Sequence, residues 1–155
     1  MTLNTEERQR LDAFPLPVDL GRVRIYRPGC SGPGKFLRNL VLRLSRGRAV
    51  ALGNHVFLPE RCEGDVAVLA HELTHCAQYQ SWGPLRYFGR GMAAQCRELL
   101  HRRLGVGKSP YAYRLEDGKP FDAYGMEQQG QIVEDAFRGS PEARSLTASR
   151  CARAL

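Results

Sequence analysis

The chain has 155 residues, 43% of them apolar and 25% charged, which is the length of one domain with a modest core and an ordinary globular composition. No stretch approaches the roughly 20 apolar residues of a membrane helix, and five widely spaced cysteines without a C-x-x-C pair do not indicate a zinc-finger or disulfide framework. The net charge of +7 is carried mainly by arginines spread along the chain without interleaved aromatics, so solvated helix faces account for it and nucleic acid is not an expected partner.

The first segment, MTLNTEERQRLDAF, is polar and lacks the apolar core of a secretory signal. Synthesis in the cytoplasm is therefore expected, with any exit by a route that does not read such a signal. Thr5, Glu6 and Glu7 mark a helix start that should stop before Pro15, making residues 1–20 an N-terminal arm. Residues 23–26 alternate as a short strand, ended by Pro28 and Gly29. Over residues 35–45, Phe36, Leu37, Leu40, Val41 and Leu44 recur at helical spacing, closed by Gly47. Residues 48–58 read as one strand interrupted, or two strands joined, at Gly53-Asn54.

Residues 65–80, DVAVLAHELTHCAQYQ, contain no helix breaker before Gly83 and Pro84. Pro84 suits the first turn of a further helix reaching about residue 104, with Leu85, Phe88, Met92, Cys96, Leu99 and Leu100 as its expected buried stripe. Residues 105–125, rich in Gly, Pro and Tyr, have the length of a functional rim or lid. A last helix is expected over 126–138, with Met126, Val133 and Phe137 on its core side. Residues 140–155 are weakly patterned and expected to fray. The whole predicts a single α+β domain, mostly helical with a short sheet.

The chemistry is concentrated in His71-Glu72-Leu73-Thr74-His75. Positions i and i+4 of a helix project from one face, so both imidazoles can reach one Zn²⁺ at about 2.0–2.1 Å. Glu72, turned by about 100° from His71, is placed to act on water as general base rather than as a ligand. A catalytic zinc takes a third protein ligand and leaves one position for water. Glu127 and Glu134 both qualify, since Glu127, Gln131 and Glu134 share one face of the last predicted helix. Gln131 or Asp135 would then orient a histidine through its second ring nitrogen. Tyr111, Tyr113 and Tyr124 lie on or beside the rim segment, and Tyr124 is the best placed to stabilise an oxyanion. His55 and His101 are expected outside the metal site, and Cys76 is expected to pack.

The segments GRAVALGNHVFLPE and DVAVLAHELTHCAQYQ, followed by SWGPLRYFGRG and EQQGQIVED, resemble the zincin-like domain of Vgr-related proteins found with bacterial contractile injection systems. The resemblance implies a metallopeptidase-like fold, His71, His75 and a downstream glutamate as Zn²⁺ ligands, and Glu72 as the catalytic residue. It carries that glutamate to Glu127, but where the usual pattern has an aspartate this chain has Gln131, which leaves a role for Glu134 or Asp135 open. It further implies a zinc metalloendopeptidase acting on a protein or peptide substrate as an effector toxin delivered through a type VI secretion apparatus, with the spike or a cognate immunity protein as partner. A non-catalytic, zinc-stabilised adaptor of such an apparatus is the alternative.

Overall fold

A computed structural model describes residues 3–105, 107 and 109–152. In chain order the elements are α1 (Thr5–Arg10), β1 (Arg24–Tyr26), α2 (Pro33–Leu44), β2 (Val50–Leu52), β3 (His55–Phe57), α3 (Val66–Trp82), α4 (Pro84–Leu104), α5 (Met126–Arg138) and α6 (Pro141–Ala152), with short 3-10 turns between them. The architecture is α+β, mostly helical around a three-stranded sheet.

Local chemistry sets the boundaries. Asn4, one residue earlier than the expected helix start, caps α1 by accepting from the Glu7 N–H at 2.8 Å, while the Glu7 carboxylate accepts from the Asn4 N–H at 3.0 Å. Glu7 is buried and also pairs with Arg27 at 2.7 Å, which ties α1 to the chain just beyond β1. Asp65 caps α3 by accepting from the N–H groups of Ala67 and Val68. Gly83, at φ 77°, ends α3, and Pro84 opens α4.

The sheet has the order β1–β3–β2. β1 runs parallel to β3, with Ile25 opposite Val56, and β2 runs antiparallel to β3, with Ala51 opposite Val56. Gly53-Asn54 is therefore the turn of a β2–β3 hairpin, so the interrupted segment is two strands. Gly53 takes φ 63°, and a side chain there would meet the Tyr79 ring at 3.2 Å. β2 is left at an edge of the sheet.

α3 is the centre of the molecule. It is buried on nearly every side, sandwiched between the sheet and α5, and it is apolar around most of its circumference, as a fully enclosed helix should be. Its core partners include Ile25, Val56 and Leu58 from the sheet side and Ile132 and Val133 from α5.

Two expectations are corrected. The α4 stripe is not buried: Leu85 is 91%, Met92 70% and Leu99 51% exposed, and Phe88, Cys96 and Leu100 are exposed too. α4 is anchored instead through Tyr87, whose hydroxyl donates to the Ala51 carbonyl at 2.9 Å, and no described element covers its outer face. The stripe of α2 is likewise turned outward, with Phe36 and Leu44 exposed and Arg38 buried to donate to the Leu58 carbonyl. The second correction is the tail, which forms α6. Ala143 and Thr147 are its buried residues, and small side chains of this kind allow close packing on α5 without a conspicuous apolar pattern. Residues 153–155 of that predicted tail lie outside the described residues.

Candidate metal centre

α3 and α5 pack along their lengths, and the contact brings together His71, His75 and Glu127, all buried. One ligand atom from each lies within 4.8 Å of the others. Glu127 Oε2 is 3.5 Å from His75 Nε2 and 4.0 Å from His71 Nε2. Ligands about 2.0–2.1 Å from a tetrahedral zinc stand about 3.3 Å apart, so the triad would have to draw together to hold the ion.

The remaining ring nitrogens are already held. His71 Nδ1–H donates to Glu134 at 3.0 Å, and His75 Nδ1–H donates to the Gln78 side-chain oxygen at 2.9 Å, which leaves both Nε2 atoms for a ligand. Glu134 is itself fixed by Arg138, and Arg138 also reaches Asp65 at the start of α3. Gln78 is fixed by donating to the Met126 carbonyl and to Gln129, a network that sets the direction of its amide. Gly130 makes the approach of the helices possible: a Cβ there would lie 2.8 Å from His71 Nε2.

Burial works against charge on Glu127, but His75, His71 and Arg48 outweigh it and hold its carboxyl below the ordinary value. Burial lowers the His75 pKa, but Glu127 by charge and hydrogen bond, then Glu72 and Gln78, carry it up to about 9. Glu72 lies beside the triad, and burial raises its pKa despite both histidines. Its Oε2 is buried without a hydrogen-bond partner among the described residues, an uncompensated position that calls for a donor or a proton.

These groups form the floor of a cavity of about 650 Å³, a size typical of ligand sites. Its walls are apolar at Leu44, Leu52, Phe88 and Met92, with Arg48 and Tyr111 among its polar lining.

Glu72, His71, His75 and Glu127 are thus brought together. Glu134 contacts His71 from its other nitrogen and is not part of the donor triad. Gln131 and Asp135 hold no histidine: Gln131 donates to Asp135, and Tyr113 donates to Asp135 as well. Tyr124 lies outside the cavity lining, its hydroxyl accepting from the Glu116 N–H at 3.0 Å, whereas Tyr111 faces the cavity. His55 is exposed and paired with the Tyr26 hydroxyl, and His101 contacts the Gly107 carbonyl. Cys76 packs in the core, where burial pushes its thiol up to about 12. Gln78, Gly130 and Arg48 were not anticipated. A glycine inside a helix, costly unless something needs the space, was the one clear signal among them.

A helix-borne histidine pair and a carboxylate from a second helix thus form a buried cluster of three donors that could hold a metal ion. Residues 3–83 match the eCIS core domain, just over half of the chain, and the protein belongs to that family, which associates it with contractile injection systems. It is also similar to the type VI secretion system spike protein VgrG2b of Pseudomonas aeruginosa, at 43% identity over 67 residues, covering 43% of this chain and 6% of that protein. The chain therefore matches only a small part of the relative's length. No solved structure matches it. Among the described residues, no helix is long and apolar enough to cross a membrane.

Proposed function

We propose that this chain is a zinc-dependent endopeptidase of the zincin type, working with a contractile injection system. The observation that carries this reading is the buried triad of His71, His75 and Glu127, whose Nδ1 atoms are held by Glu134 and Gln78 and whose Nε2 atoms face Glu127, next to Glu72 with its Oε2 unpartnered among the described residues, all lining one cavity. His71, His75 and Glu127 hold the ion. When bound, zinc supplies a Lewis acid for the scissile carbonyl and a more acidic water. Glu72 takes the proton of the attacking water and returns it to the leaving amine, and its burial-raised pKa suits that exchange. Glu134 and Gln78 keep the imidazoles oriented, and Tyr111 is the phenol available to donate to a developing oxyanion.

The metal-free site carries a proton on His75 at neutral pH, and zinc must displace it. Zinc affinity is expected to rise about tenfold per pH unit up to about pH 9 and then level off, with about one proton released per ion. Calorimetric zinc titrations in several buffers check this, and a flat profile with no proton release would count against the site. The sign for folding is the reverse. The His75 pKa is raised in the folded state, so its stabilisation of the metal-free protein is complete below about pH 6.5 and is lost as pH rises through about 9.

Gly130→Ala gives a further test. Alanine favours the helix by roughly 1 kcal/mol, yet its methyl would occupy the space at His71 Nε2. Zinc affinity by chelator competition is expected to fall at least tenfold, on the order of what misplacing a ligand costs, and the melting temperature should fall too, because overpacking a buried contact by about 1–3 kcal/mol outweighs the helix gain. Unchanged affinity would show that the Gly130 position is not needed for the metal.

A second reading is a zinc-stabilised adaptor that binds a spike-related partner and cleaves nothing. It is favoured by the outward apolar faces of α2 and α4, since contiguous exposed apolar surface commonly marks an interaction site. Capture of the spike protein that persists when His71 and His75 are replaced, with no cleavage by the wild type, would select it. The relative's name, a spike protein, supports a spike-related partner under either reading.

A further inference from the structure

We infer that Arg48 is the specificity-determining residue of the cavity and that it recognises a carboxylate on the bound peptide, next to an apolar side chain seated on the cavity wall. This rests on reading the cavity as a peptide site, but not on the presence of zinc. Arg48 lines the cavity, and its charge acts on both Glu127 and Tyr111, which face the same space. Among the described residues its guanidinium makes no hydrogen bond and has no carboxylate within ion-pair distance, unlike Arg27, Arg38, Arg102 and Arg138, which are all engaged. A half-buried guanidinium offers a planar fork of donors, and the group that satisfies such a fork best is a carboxylate.

The position is built rather than incidental. Arg48 follows the end of α2, where Gly47 N–H donates to the Leu42 carbonyl at 2.7 Å and the Ser45 hydroxyl donates to the Arg48 carbonyl at 2.8 Å. Arg46 takes φ 56° and Gly47 φ 74° to make this turn, a left-handed conformation that non-glycine residues adopt at a cost. The turn delivers Arg48 directly into the start of β2, the edge strand that lines the cavity through Val50 and Leu52. Leu44, Phe88 and Met92 make part of the wall apolar, while Glu72, Glu127 and Glu134 line it with the two histidines. Arg48 beside these apolar residues, with a sheet edge along the cavity, favours an extended segment carrying one negative charge beside an apolar residue. The carboxylate can be the end of a chain or an aspartate or glutamate side chain.

The test uses the full chain without metal and three peptides: acetyl-Ala-Phe-Ala as free acid, the same peptide as amide, and acetyl-Ala-Phe-Asp amide. Binding is followed by chemical-shift titration. The free acid, the aspartyl peptide or both should bind about tenfold or more tightly than the neutral amide, the ordinary worth of a charge-assisted hydrogen bond. Which of the two wins tells a terminal from a side-chain carboxylate. Arg48→Gln should remove the preference, Arg48→Lys should keep part of it, and the circular-dichroism melt of each reports that the fold is intact. Equal binding of all three peptides, or a preference that survives in folded Arg48→Gln, overturns the inference. Failure of the wild type to take up zinc, with the preference intact, counts against the peptidase reading alone.

Discussion

Glu72→Gln is expected to lower kcat on a cleaved substrate by about 10²- to 10⁴-fold, the usual contribution of a general base, while one zinc stays bound. The amide is nearly isosteric with the carboxylate, and Glu72 is not one of the three clustered donors, so the exchange removes the base and spares the ligands. It also removes an ionisable group whose charged form is disfavoured by burial, so the melting temperature should hold or rise. Turnover together with elemental analysis of the same preparation separates the two effects. Full activity with zinc bound would remove Glu72 from the mechanism, and loss of zinc would make it a ligand.

Glu127→Ala and Glu134→Gln should separate in the opposite sense to their similar position on the helix. Glu127 faces both Nε2 atoms, so its loss takes away one donor of three and leaves His75 without its principal charge partner. Glu134 holds only His71 Nδ1, and glutamine can still accept there. The Glu134 change is expected to weaken zinc by about 10- to 100-fold at most, as other such outer contacts do, and the Glu127 change by considerably more. Chelator competition on both variants decides it. The reverse order would exchange the two roles.

The distinction between these glutamates shows where sequence reading stops. Spacing places Glu127 and Glu134 on one face, two turns apart. Only the packing of α5 on α3 reveals that Glu134 binds His71 Nδ1 while Glu127 faces the Nε2 atoms of both histidines, with Gly130 between them allowing the ring in. Gln131 and Asp135, also on α5, pair with each other. α3 was legible because its evidence is local: an apolar run with no breaker before Gly83 and Pro84, and the i, i+4 histidines. The apolar stripe of α4 was equally periodic, but periodicity states which residues share a face and says nothing about whether another element covers it. α6 failed for the opposite reason, since Ala143 and Thr147 pack through smallness rather than through bulk. Gln78, three residues after His75, was a reachable partner, but only the carbonyl of Met126 and the side chain of Gln129 commit its amide to that bond.

The stretch that matches the eCIS core domain ends at residue 83, at the close of α3, while Glu127 and Glu134 come from α5. The centre is therefore a shared possession of two stretches of chain, and neither is sufficient. A chain that kept the sheet and α3 but carried a different continuation would retain both histidines and Glu72, yet lose the third donor and the brace on His71. Inheritance of the matched stretch alone would then carry His71, His75 and Glu72 without Glu127 or Glu134.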